Sequence, residues 1–442
     1  MKQLLAYCLS IILCVSFTGC MENYLDLYPE DKITSASFPE NESDIKLLLN
    51  GVYAQLREKE VYNQGLFGFG ITDGATPNAF NWGTDEVFNK LGAGRLSSSD
   101  GGVVTYRWKR CYEIISRANY LLACMDLVDL SEEAKAKYSG ETHFLRGLAY
   151  SVLAETYGGV PIILTNISTE EARSLKRASL EETWQQALDD YEVAITNLGV
   201  DAPEPGRATK GAALGMKMRA YLYQGKYKEV LACVEQIDAL KKYGLFHSYE
   251  GLFDPANENN KEVLFDIQYI EGENSQGSYI DQYCGTGTGS WTRGSRYVPT
   301  DDLVAAYETI DGSPVDPENP YENRDPRLGF TAVLPGSYFL GYRFPNYLYP
   351  GGAFNHAGNR LKHLSTRKYR IQDESKLPPS GQSYINDIIL RYADVLLSKA
   401  EAIIETNGNV ADAIAILNRI RTESDDVKIS LLPTSMSREE AR

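Results

Sequence analysis

Histidine is scarce in this chain, with 4 residues in 442. That leaves little imidazole for metal binding or for acid–base chemistry near neutral pH. Basic charge is also in deficit: 44 Lys and Arg stand against 60 Asp and Glu, for a net charge of -16. Such a surface repels a phosphate backbone and excludes nucleic acid as a partner of the chain as a whole. Of the 7 cysteines, those beyond residue 20 are Cys111, Cys124, Cys233 and Cys284. They are too far apart for a CxxC metal site and too few for a disulfide scaffold. After Phe17 no apolar run is long enough to span a bilayer. No HExxH, GxSxG, Walker loop or complete EF-hand spacing occurs. The Gly285-Thr286-Gly287-Thr288-Gly289 run lacks the Lys-Ser/Thr ending of a phosphate cradle and reads as a turn. Neither a cofactor nor a metal is expected, and no catalytic residues are assigned.

What remains is an apolar content of 43%, ample for a large core, and 30 tyrosines within 11% aromatics. Tyrosine combines a flat apolar face with a hydrogen-bonding tip, which suits recognition more than catalysis. The chain opens with Lys2, an apolar run from Leu4 to Phe17, and Thr18-Gly19-Cys20. A basic start and a short apolar stretch form an export signal. A cysteine directly after small residues fits a lipoprotein box, with Phe17 in place of the usual leucine. An ordinary secretory signal is the alternative. The expected boundaries are a signal peptide over 1–19 and a mature domain over 20–442 with Cys20 lipidated. Loss of Lys2 with the signal takes the net charge from -16 to -17.

Apolar residues recur at helical spacing in Ile45, Leu48, Leu49, Val52 and Leu56, and again in Trp108, Cys111, Tyr112, Ile115 and Leu122. A third stripe, Phe144 to Leu153, is stopped by Gly158-Gly159 and Pro161. Ser179 with Glu182 forms a capping box before the fourth stripe, which starts at Trp184. Two helical hairpins follow, Ala212–Tyr223 with Tyr227–Leu240, and Ile388–Thr406 with Val410–Thr422. Their small residues at matching places resemble tetratricopeptide helix pairs. The predicted fold is mainly α, an α-α superhelix of such pairs with long ordered loops and little β structure. Trp108 and Trp184 lie on apolar stripes and are expected in the core.

Two stretches break the helical pattern, residues 59–104 and residues 270–384. Both are rich in aromatics, so they read as ordered loops carried on a scaffold, where binding residues concentrate. Sugar rings offer apolar C–H faces and hydroxyls, which an aromatic platform flanked by amides, carboxylates and guanidinium groups satisfies. The candidate ligand-binding residues are Asp73, Asn78, Asn81 and Trp82 in the first loop, and Tyr283, Trp291, Arg293 and Arg296 in the second. Trp82 and Trp291 equally suit anchors that hold a long loop onto the helices. Tyr338, Phe339, Tyr342, Tyr347 and Tyr349 offer a second platform.

The order of segments resembles the SusD/RagB family, the surface lipoproteins of Bacteroidetes nutrient-uptake systems. The resemblance runs from Cys20 and Leu25-Asp26-Leu27-Tyr28-Pro29 through Gly51-Val52-Tyr53 to the run Glu141 to Tyr150. It continues in Tyr157-Gly158-Gly159-Val160-Pro161, Tyr307 to Gly312, Asn323 to Leu328, Leu390 to Val395 and Ala400-Glu401-Ala402. The chain stops at Arg442 where members continue, so it is expected to be C-terminally incomplete. The resemblance implies a lipid-anchored outer-membrane protein exposed at the cell surface. It would capture oligosaccharide and deliver it to a SusC-like TonB-dependent transporter without altering it. A peptide ligand, as in the RagB branch, is one alternative; a surface glycosidase and a purely structural interaction module are others. Arg146 is expected to pair with a carboxylate or cap a loop, and Arg324-Asp325-Pro326 to lock a turn.

Overall fold

The structure is a computed structural model that describes residues 38–57, 73–81, 90–97, 99–272, 277–278, 280, 297–343, 364–378 and 382–442. The expected signal segment and Cys20 lie outside the described residues. Helix α1 (Glu42–Ala54) begins in a capping box between Asn41 and Asp44 and buries Ile45, Leu49 and Val52. Helix α2 (Val103–Cys124) presents Cys111, Ile114, Ile115 and Leu121 to the same core. Helix α3 (Glu132–Tyr157) starts at Ser131, whose hydroxyl accepts from Ala134 N, and from Phe144 to Ala154 every residue is buried. A helix buried on all sides belongs at the centre of a domain, and the Phe144–Ala154 stretch of α3 lies there.

The end of α3 shows why Tyr157-Gly158-Gly159-Val160-Pro161 takes that form. Gly158 leaves the helix at φ 74°. A Cβ on Gly159 would sit 2.0 Å from the Ala178 carbonyl oxygen, so the chain passes too close there for any side chain. Val160 is then fully buried, and the Pro161 carbonyl accepts from Tyr112 Oη at 2.8 Å.

After the short α4 (Thr169–Ser174) comes α5 (Leu180–Asn197), which opens with the Ser179/Glu182 capping box and packs along α3. The contact is close because Gly147 has no side chain; its Cβ would meet Ala187 O, Asp190 Cβ and Tyr191 Cε1, each at 3.1 Å. Gly147→Ala is therefore expected to force the two helices apart and lower stability by about 1–3 kcal/mol through overpacking, read as a lower urea midpoint.

Helices α6 (Lys210–Tyr223) and α7 (Tyr227–Ala239) form the first hairpin. Strand β1 (Ala79–Asn81) precedes these helices, and β2 (Val263–Ile267), β3 (Tyr297–Pro299), α8 (Asp301–Ala306) and α9 (Pro326–Thr331) follow them. Next come β4 (Ala332–Val333), β5 (Tyr338–Phe339), β6 (Tyr342–Arg343), β7 (Ser365–Thr366) and β8 (Asp387–Arg391). The chain then runs through α10 (Tyr392–Glu405), α11 (Val410–Thr422) and α12 (Arg438–Ala441). The α10–α11 hairpin packs on α7, so the two expected helix pairs are neighbours.

One boundary differs from the periodicity reading. Ile388 to Arg391, read there as the start of a helix, is the strand β8, paired antiparallel with β2. The run Ile388-Ile389-Leu390 is short and opens with two β-branched residues, and pairing with β2 selects the extended form that pattern alone does not distinguish from helix. The described strands form four two-stranded ribbons, β1–β3, β2–β8, β4–β7 and β5–β6, and all are antiparallel.

The charged segments within the motifs serve the scaffold. Arg146 and Asp190, both buried, form a bidentate pair, with Nη2 to Oδ1 at 2.7 Å and Nε to Oδ2 at 3.0 Å. Arg146 Nη1 also donates to Asn119 Oδ1 at 2.8 Å, and Asn119 Nδ2 holds the Ile163 carbonyl at 3.0 Å. Arg324 donates to the carbonyls of Pro320, Val304 and Tyr307, each at 2.6 Å, closing the end of α8. Asp325 accepts from Arg327 N at 2.9 Å and so starts α9, with Pro326 in its first turn. Cys111, Cys124 and Cys233 are free buried thiols, and Trp184 is 6% exposed. Trp108 packs partly buried against the same core, tilted on Tyr112 and edge-on to Tyr157.

Candidate functional site

The ribbon β1–β3 unites the two loops on which the binding residues were placed. Its register pairs Ala79 with Pro299, Phe80 with Val298 and Asn81 with Tyr297. Because the strands are antiparallel, the chain leaves β1 toward Trp82 and enters β3 from Arg296 at one end of the ribbon. The other end is tied down. Thr300 N donates to the Asn78 carbonyl at 3.1 Å, Thr300 Oγ1 donates to the Pro77 carbonyl, and the same hydroxyl accepts from Leu303 N to start α8. Asp73 opens a single 3-10 turn whose carbonyl accepts from Thr76 N and Oγ1, so the carboxyl is carried on a short, internally bonded turn.

Beneath this ribbon is a cavity of about 180 Å³ lined by Asp73, Asn78, Ala79, Tyr249, Pro299, Leu303, Tyr307, Thr331, Thr366 and Lys368. Its walls combine aromatic faces with a few polar groups, the composition of small-molecule sites. Lys368 Nζ is 4.3 Å from the centre of the Phe253 ring, 5.6 Å from that of Tyr369 and 5.8 Å from that of Tyr249. Tyr369 sits at φ 58°, in the left-handed region, as the chain reverses after β7.

The electrostatics follow from this enclosure. Burial opposes ionisation of the Tyr249 phenol, but Lys368, Arg391 and Arg327 together outweigh it and hold the phenol below its usual value. Burial pushes Tyr307 up to about 12; its hydroxyl is 2.9 Å from Thr331 Oγ1. Burial raises Asp73 above the usual carboxylate range, with Lys368 opposing. The neighbouring cations are paired: Arg327 with Asp325 at 2.6 Å, Arg391 with Glu262 at 2.8 Å, and Arg367 with Glu250 at 2.5 Å.

Two larger cavities, about 450 and 380 Å³, flank the turn Pro203–Arg207. Among their charged walls, Lys242 pairs with Asp201 at 2.9 Å, and Arg207 donates to Asn50, Glu204 and Glu141. The Asn259 and Gln268 amides bond each other. Among the described residues no group of three or more His, Cys, Asp or Glu is arranged to hold a metal ion.

Of the residues singled out from the sequence, Asp73 and Asn78 line the cavity beneath the ribbon, and Asn81 ends β1. Trp82, Tyr283, Trp291, Arg293 and Arg296 lie outside the described residues. In the second aromatic cluster Tyr338 is 68% exposed and Phe339 is buried beneath Arg367 and Arg370, while Tyr347 and Tyr349 lie outside the described residues. The reading of the sequence missed Tyr249, Tyr307, Thr331, Thr366 and Lys368. They come from separate segments, and the only local signal was the aromatic density around 246–253 and at Lys368-Tyr369.

A superhelix of helix pairs that carries an aromatic cavity and paired loops on one side is the architecture of a ligand-binding protein. Comparison with known proteins agrees. Residues 23–222 match the family model described as "Starch-binding associating with outer membrane", and residues 261–425 match that of the SusD family. A SusD-like protein of Formosa agariphila is 26% identical over 95% of this chain and 81% of its own. The crystal structure of a SusD-like carbohydrate-binding protein from Bacteroides fragilis superposes with a TM-score of 0.78 at 26% identity, covering 90% of this chain and 81% of the other. A laminarin-binding SusD-like protein shares the fold at a TM-score of 0.63 and 20% identity, covering 90% and 88% of the two chains. This chain belongs to the SusD/RagB family.

Proposed function

We propose that the protein captures oligosaccharide on the face formed by the ribbon β1–β3 and its two loops, and delivers it unchanged to a SusC-like TonB-dependent transporter. Cys20 would carry the lipid that tethers it to the outer membrane at the cell surface. The observation that carries the reading is the β1–β3 register. It pairs Ala79–Asn81, at the end of the described part of the first loop, with Tyr297–Pro299, just after the second candidate segment, above an aromatic cavity. The SusD-like relatives and the family description support carbohydrate as the ligand class.

Affinity electrophoresis of the chain from Met21 onward tests the reading, with polysaccharides cast in the gel. A bound glycan is expected to retard the protein without being degraded, and Trp82→Ala with Trp291→Ala to abolish the retardation while leaving the circular dichroism unchanged. Shortening of the glycan would favour a glycosidase instead. Normal mobility in every gel, with the fold intact, would move the ligand to peptide or remove it.

A further inference from the structure

Lys368 is the one cation that lines the cavity beneath the ribbon; it makes no contact ion pair among the described residues, and the Asp73 carboxyl of the same lining is within its electrostatic reach. Its ammonium faces three rings, those of Phe253, Tyr249 and Tyr369, and contacts the Tyr249 phenol. The cations around it are committed: Arg327, Arg391 and Arg367 each hold a carboxylate. Ring faces offset part of the cost of holding an ammonium away from water, but they do not replace an anion. A lining cation with no contact ion pair marks an acceptor position in the cavity.

The other polar groups of the lining address a different part of a ligand. Asn78 can both accept from and donate to a sugar ring, Asp73 can accept from its hydroxyls, and Thr331 lies beside them with its hydroxyl paired to Tyr307. By liquid volume the cavity of about 180 Å³ holds about six waters, the space of one ring with a substituent. Resting on the oligosaccharide reading above, we propose that this cavity selects acidic glycans, seating one sugar ring whose anionic substituent, a carboxylate or a sulfate, pairs with Lys368. A neutral sugar of the same shape would displace the water around the ammonium and return no charge, leaving a desolvated cation without a partner. Lysine presents a point charge, so a trigonal carboxylate and a tetrahedral sulfate are both accommodated.

The test is a panel run by affinity electrophoresis and then by calorimetry on the chain from Met21 onward. Polygalacturonate, its methyl ester, a sulfated galactan, alginate, starch, laminarin and xylan are the probes. Retention by an acidic polysaccharide is expected, with at least tenfold weaker binding to a neutral counterpart and affinity that falls as salt is raised. The pair of polygalacturonate and its ester isolates the carboxylate, and the sulfated galactan reports the sulfate. Lys368→Met keeps the apolar stem against the rings and is expected to lose the preference, whereas Lys368→Arg keeps it. Retention by neutral glycans alone, or by acidic and neutral ones equally, overturns the proposal and leaves the oligosaccharide reading standing. An acidic preference that survives Lys368→Met, or that is unaffected by salt, also overturns it; the salt series on the parent protein needs no variant to fold. No retention in any gel overturns the oligosaccharide reading itself.

Discussion

Replacing Arg146 with methionine is expected to lower the stability of the protein by about 3–5 kcal/mol, the usual cost of stranding one charge of a buried pair. Asp190 would be left 1% exposed with its cation gone, and Asn119 would lose the donor on its carbonyl while still bridging to the loop at Ile163. A urea titration followed by circular dichroism measures the loss. The pair itself contributes less than the single substitution costs, because both charges also carry a desolvation penalty in the folded state. Arg146→Met combined with Asp190→Leu is therefore expected to recover much of the stability. If the double variant is as unstable as the sum of its parts, the pair is not the coupled unit the geometry describes. The bidentate fork, two N–H groups on one carboxylate, explains why lysine would not substitute well here.

The second large effect is on pH dependence. At the far end of the β2–β8 ribbon, three carboxyls meet around Asn386, whose N donates to Glu258 Oε1 at 2.8 Å and whose Nδ2 donates to Asp266 Oδ2 at 3.0 Å. Asp387 stands beside the Tyr269 hydroxyl, which opposes its shift. Burial, with repulsion from Asp266, raises both Glu258 and Asp387 to about 7. Burial likewise raises Asp266. A carboxyl whose folded-state value lies above its unfolded value binds more protons when folded, so stability falls as pH rises between the two. The melting temperature is expected to be highest at or below about pH 4 as far as these groups decide it, and to decline from there through pH 7 as they ionise. Moving one carboxyl from its usual value to about 7 corresponds to at most about 4 kcal/mol, shared among the coupled groups. Asp387→Asn and Glu258→Gln should flatten the decline and raise the melting temperature at pH 8. A thermal series from pH 4 to 8 in the presence of constant salt checks the sign; a parent protein whose melting temperature rises steadily over that range contradicts it.

Both predictions concern groups whose environment no local stretch of chain reveals. The helices are a different matter. Ser179 with Glu182 caps α5 as the spacing indicates, and the Gly158-Gly159 stop ends α3 at its expected place. These features depend on residues within a few positions of one another, so the sequence carries them directly. The Ile388–Arg391 segment shows where that directness ends. Three consecutive apolar residues satisfy helix and strand alike, and the choice is made by Val263–Ile267 far back in the chain.

The proposed binding face divides in the same way. Composition and the aromatic loops point to a ligand surface, and the order of motifs points to the family, because both are properties of chain order. Asp73 and Asn78 could be selected as polar groups in an aromatic loop. That they share a cavity with Tyr249, Tyr307 and Lys368 could not, since the lining comes from segments that meet only through the β1–β3 pairing and the turn after β7. The sequence alone determined the helical class, the caps and stops of the helices and the two loops that break them. Tertiary structure decided which strands pair, which charges are buried together and which lysine is left facing a cavity. The physical reason is range: helix periodicity and capping act within about one turn, whereas ribbon register, desolvation and charge pairing depend on residues that only the folded chain brings into contact.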